Sequence, residues 1–176
     1  MSDLFETVKG GQDIFQKLLS YIPGFKGYVE RTHRRRADKL LRDQVAMKYT
    51  ELAGRASSLQ KDLVEASQID FLDEIDSVSL KLRTFADRIK NASYGYSGFF
   101  DTVKINEKEL AQIYTFDTAF FELAGQISNG LDNIEAAIGS DGLKAAIRAV
   151  NRLAKDANEA FDKRYEVITG SGAPAS

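Results

Sequence analysis

The sequence predicts an all-α fold: an antiparallel bundle of four main long helices preceded by an amphipathic N-terminal helix. Three observations predict it. Phe71, Ile75, Val78, Leu82, Phe85, Ile89 and Ala92 recur at alternating spacings of four and three, the seam of a helix packed lengthwise on others. Three further segments carry the same rhythm. Only 2 prolines occur in 176 residues, so little interrupts long helices, and no period-two stretch competes as a strand.

The elements follow in chain order. Residues 3–22 form an amphipathic segment with Leu4, Phe5, Val8, Phe15, Leu18, Leu19 and Ile22 on one side. Gly10-Gly11 interrupts it at about 1 kcal/mol per glycine relative to alanine, and Pro23-Gly24 ends it as a hinge. Residues 28–66 read as one helix about 58 Å long. Its seam is Ala37, Leu41, Val45, Lys48, Leu52, Ala56, Leu59, Leu63 and Ala66, with one lysine in it. Residues 67–70 make a short turn, with Asp70 as N-cap. A link this short implies antiparallel neighbours.

The next helix spans 70–92 and carries the opening ladder. Ser93 to Asp101 is too rich in glycine to stay helical. A further helix starts at Asn106, with Glu109 as its capping-box partner. Its seam runs Leu110, Ile113, Asp117, Phe120, Ala124, Ile127, Leu131, Ile134 and Ile138. Gly139-Ser140 ends it. The last helix carries Leu143, Ile147, Val150, Ala154, Ala157, Phe161 and Tyr165. The predicted organisation is therefore 1–22 as the N-terminal helix, 25–168 as the bundle and 169–176 as a disordered tail with nothing to bury.

There is no cysteine, which excludes disulfides, thiolate metal sites and cysteine nucleophiles. No run of about 18 apolar residues exists, so no transmembrane helix is expected. Met1-Ser2-Asp3 lacks the basic start of a secretory signal, and a cytoplasmic location is expected. The net charge of −2 hides an asymmetry: residues 26–43 sum to +4, residues 1–25 to −1 and residues 44–176 to −5. A basic stripe on an acidic body points to one anionic partner surface rather than to nucleic acid.

Helix arithmetic places that stripe. The 28–66 helix exceeds its 70–92 neighbour by roughly 16 residues at 1.5 Å each. The two are joined at the 67–70 turn, so the surplus lies at the other end. The basic overhang, the aromatic loop and the Pro-Gly hinge then share one pole.

Each unusual feature has an ordinary reading and a functional one. Tyr94, Tyr96, Phe99 and Phe100 sit in a glycine-rich loop. They plug the open end of the bundle or form a docking surface, with Asp101 a charge partner for Arg34, Arg35 or Arg36. Arg31, Arg35, Lys39 and Arg42 lie along one helix flank, either as a solvated face or as a grip on anionic headgroups or an acidic protein. Leu4, Phe5, Val8, Phe15, Leu18, Leu19 and Ile22 pack within the protein, on a partner helix or into a membrane surface.

Asp117 falls where an apolar residue is expected. A buried carboxylate needs a partner; Arg83, Arg88, Lys48 or a tyrosine hydroxyl are the candidates, in a structural ion pair that sets helix register. His33 with Glu30 matches Glu-x-x-His, but the second such motif of a di-iron bundle is missing. No phosphate loop, dinucleotide fingerprint, zinc-protease motif or nucleophile elbow is present. No cofactor is expected.

Arg36-Ala37-Asp38-Lys39-Leu40-Leu41-Arg42, Tyr94 to Asp101 and Tyr114-Thr115-Phe116-Asp117 together resemble a family of uncharacterised bacterial all-helical proteins. The likeness covers most of residues 25–165 and carries no activity or binding residue with it. A looser likeness, of architecture alone, is to membrane-remodelling helical proteins of the phage-shock and endosomal-sorting kind.

The expected function is a non-enzymatic adaptor or scaffold acting through the basic and aromatic pole. In one variant the N-terminal helix attaches it peripherally to a membrane, with Leu4 to Ile22 inserting and Arg31, Arg34, Arg35 and Lys39 on the headgroups. The alternative is a ferritin-like metal-carboxylate bundle using Glu30, His33 and Asp117. A third option is a subunit that self-assembles into a homo-oligomer.

Overall fold

Four helices carry the apolar seams. The computed structural model describes residues 17, 18, 20–22, 34–92 and 107–169, with side chains described at 39–92 and 114–166 in the bundle. The helices are α1 (Arg34–Glu65), α2 (Leu72–Asn91), α3 (Glu107–Ala137) and α4 (Leu143–Thr169), with a 3-10 turn at Ile69–Phe71. No strand occurs among the described residues. Residues 28–33, Asn106 and the 169–176 tail beyond Thr169 lie outside them, as does the Pro23-Gly24 hinge.

The opening ladder forms as expected: Ile75, Val78, Leu82, Phe85 and Ile89 are buried, with Phe71 and Ala92 half-buried at its ends. Four positions differ. Ala66, expected as the last step of the α1 seam, is exposed just past the helix end at Glu65. On α1 the seam passes through Tyr49 rather than Lys48; Tyr49 is fully buried while Lys48 pairs with Glu51 at 3.2 Å on the flank. On α4 the seam ends in Arg164, 1% exposed, and Tyr165 turns to solvent. Asp70 is not an N-cap, because the 3-10 turn moves the start of α2 onward and Phe71 takes that position without a side-chain cap bond. Asp73 and Glu74 in the first turn still oppose the helix dipole.

The α1–α2 turn is a Schellman-type stop. Gln68 N–H donates to Leu63 O at 2.8 Å and Ser67 N–H to Val64 O at 3.0 Å, with Ser67 at φ 58°. The α3–α4 turn uses Gly139 at φ 83°, where glycine adopts the left-handed region without strain. Both hairpins are antiparallel. Gln60 donates to Asp76 and Ser79 to Ala53 O, so rising numbers on α1 meet falling ones on α2. Gly130 beside Val150, and Asp117 beside Arg164, give the same sense for α3 and α4.

The hairpins stack side by side. Arg55 donates to Ser128 at 2.8 Å and to Asp132 at 2.5 Å, and Tyr49 donates to Phe120 O at 3.0 Å. Those pairs run in step, so α1 lies parallel to α3. Arg88 reaches Asn158 and Asp162, and Asn158 donates to Lys81 O at 3.1 Å, so α2 lies parallel to α4. Among the four helices each thus packs on two others, with α2 and α3 on the diagonal.

Two packing details have measurable consequences. A Cβ on Gly130 would lie 2.5 Å from Val150 Cγ2, a stiff β-branched group that cannot swing away. Gly130→Ala is expected to destabilise by about 1 kcal/mol, overpacking outweighing the gain in helix propensity. Gly125, with open space around it, should gain about 0.5–1 kcal/mol on the same change. Urea denaturation of the pair decides it; equal effects would mean that α3 and α4 can move apart freely.

Burial also pushes the Tyr49 phenol far above its ordinary value of 10.0. Below about pH 10 both folded and unfolded chains hold the proton. Above it the unfolded chain releases the proton first, so stability falls by up to about 1.4 kcal/mol per pH unit from this group. Tyr49→Phe should flatten that alkaline slope by one proton in a pH series of denaturation midpoints.

Candidate functional site

The layer of Tyr49, Phe85, Phe120 and Phe161 marks one level of the bundle, their rings 4.1 to 6.3 Å apart around Phe85. From that level α2 continues only to Asn91, whereas α1 extends back to Arg34. The basic end of α1 therefore overhangs α2 by roughly nine residues, about 13 Å. The antiparallel pairing on which the helix arithmetic depended is present. Ala92 and Glu107, between which the aromatic connection runs, both belong to this pole.

The overhang has its own small core. Leu18 and Ile22 are buried with Leu41, and Leu40, Tyr114 and Phe121 pack around them. Tyr21 stacks on Phe121 at 5.0 Å with the rings 7° from parallel. Lys17 forms an ion pair with Glu122, whose carboxylate raises the lysine pKa. This contact seats the end of the N-terminal segment on α1 and α3. Leu18 and Ile22 therefore leave the membrane-facing set. Leu4, Phe5, Val8, Phe15 and Leu19 lie outside the described residues.

Of the basic residues, Lys39 is exposed and Arg42 is 4% exposed. Arg42 was expected on the solvated flank beside Lys39. Its place next to Leu41 on the long α1 turns it inward instead. Arg34 and Arg35 lie in the first turn of α1 with side chains outside the described set, and Arg31, Tyr94, Tyr96, Phe99 and Phe100 lie outside it altogether.

Asp117 is fully buried and holds Arg164, while Arg83, Arg88 and Lys48 engage other groups. Arg164 Nε donates to Oδ1 at 2.9 Å and its terminal nitrogen to Oδ2 at 3.4 Å. The two-point geometry is the one a guanidinium offers a carboxylate. Arg88 serves elsewhere: it pairs with Asp162 and lies 4.6 Å over the Phe161 ring. Arg83 donates to Ser57 at 2.9 Å. Arg164 was legible, since it continues the four-three rhythm from Val150, Ala154, Ala157 and Phe161; taking Tyr165 as the next step missed it.

With its carboxylate held by Arg164, Asp117 is not free to join Glu30 and His33 in a metal site; those two lie outside the described residues. Among the described residues no three His, Asp or Glu side chains converge as metal ligands. No described helix is long and apolar enough to cross a membrane. Comparison with protein-family models, curated proteins and solved structures gives no match in any of the three.

Proposed function

We propose that this chain is a non-enzymatic helical adaptor that grips an anionic protein surface with the basic overhang of α1. The observation that carries the reading is the unequal hairpin. α1 has 32 residues against 20 in α2, and most of the surplus lies at the arginine- and lysine-bearing end. A helix extended beyond its neighbour and braced by Leu18, Ile22 and Leu41 presents charge on a rigid element, which limits the entropy lost on binding. The aromatic stretch Tyr94, Tyr96, Phe99 and Phe100 departs from the same pole and supplies the large contact groups that partner surfaces favour.

The test is affinity purification from the native lysate, soluble and membrane fractions kept apart, with wild type and an Arg35→Glu, Lys39→Glu double variant. Loss of a defined soluble partner by tenfold or more in the double variant is expected. Equal recovery by both proteins would sink the reading. The membrane variant is tested in the same material with Phe5→Glu, which spares Leu18 and Ile22. Recovery chiefly with membranes, abolished by Phe5→Glu, would replace the protein partner with a lipid surface.

A further inference from the structure

We propose that the groove at the α1–α2 turn receives the basic overhang of a second copy of this chain, so that copies associate head to tail. The inference rests on the adaptor reading and names a partner for it.

The groove is open, about 590 Å³, and lies at the far end of the bundle from the overhang. Val64 and Leu72 supply apolar surface, and Glu65, Asp73 and Asp76 bring three carboxylates against one ammonium, Lys61. Lys61 is already engaged with Glu65 at 3.6 Å. Val64 is 52% exposed, and Ile69 in the adjoining turn is 61% exposed. An apolar strip with an acidic rim fits a basic helical surface.

The first turns of α1 carry the basic residues Arg34, Arg35, Arg36 and Lys39, but these cannot reach the groove of their own copy. Arg34 and Gln60 lie in one continuous helix, about 39 Å apart along it. That is several times the screening length of about 8 Å at physiological salt. Within one copy the opposite charges cannot meet; between two copies they can. Groove and overhang are different surfaces at opposite ends, so each contact leaves one of each free. Such a heterologous contact does not close, and it builds chains rather than a symmetric dimer.

Sedimentation over a concentration series at low and high salt tests this. Wild type is expected to grow in mass with concentration at low salt and to return to monomer at high salt. Asp73→Asn with Asp76→Asn removes the charge of the groove; Arg35→Gln with Lys39→Gln removes that of the overhang. Each variant alone should remain monomeric with unchanged helical content. Mixed in equal amounts, they should form a discrete dimer and nothing larger, because one intact groove meets one intact overhang. That rescue also shows that both variants are folded.

A wild type that stays monomeric at every concentration in low salt overturns the proposal. So does a groove variant that associates as wild type does. If the wild type stays monomeric while the overhang variant loses its lysate partner, only the head-to-tail contact fails and the adaptor reading stands.

Discussion

Asp117→Ala is expected to destabilise the bundle by about 3–5 kcal/mol, a large part of the roughly 5–15 kcal/mol that holds a typical domain. The carboxylate is 0% exposed and its guanidinium partner Arg164 is 1% exposed. Removing the acid leaves a buried cation without the anion that offset its desolvation, and water cannot reach it without opening the seam between α3 and α4. The melting midpoint should fall by roughly 10 °C in a chain of this size. Arg164→Met should do comparable damage by removing the guanidinium that holds the buried carboxylate at two points.

The decisive comparison is the double variant Asp117→Leu, Arg164→Met. Removing both charges removes both desolvation costs, so most of the lost stability should return. A single variant that loses less than about 1 kcal/mol, or a double variant no better than either single one, would show that the pair is not the coupled unit its geometry describes.

Phe85→Ala is the second large effect, at about 3–5 kcal/mol. Phe85 is fully buried and touches the rings of Tyr49, Phe120 and Phe161, one from each of the other three helices. Truncation therefore opens a cavity where all four helices meet, and the opposing backbones cannot collapse into it together. Leu80→Ala on the same helix is the control. Leu80 is 63% exposed, and its loss should stay within about 0.5 kcal/mol. Chemical denaturation of both variants checks the contrast; similar losses would mean that the shared layer does not organise the core.

How far the sequence could be read is clearest at Phe85 and Asp117. Phe85 lies inside an unbroken four-three ladder, and an apolar residue in such a ladder has only one favourable place, the core. The acid at 117 was likewise legible as buried, from its position between Ile113 and Phe120. Its partner was harder, because a ladder on one helix carries no information about which side chain on another lies opposite. The same limit applies to the ends. Arg42 sits one residue away from a ladder position, where a small rotation of the helix decides between core and solvent, and the periodicity does not fix that rotation.

The amino-acid sequence by itself determined the all-α class, the four helical segments, the turns at 67–70 and at Gly139-Ser140 and the antiparallel sense of each hairpin. All of these follow from local forces: apolar periodicity, a glycine stop at Gly139 and loops too short to allow any other return. Only the tertiary structure decided that the two hairpins stack with α1 parallel to α3 and α2 parallel to α4. It alone paired Asp117 with Arg164, and it alone seated Leu18 and Ile22 beside Leu41. Those arrangements depend on which faces meet across the core. That choice is made by packing and desolvation among residues far apart in the chain, where no local signal reaches.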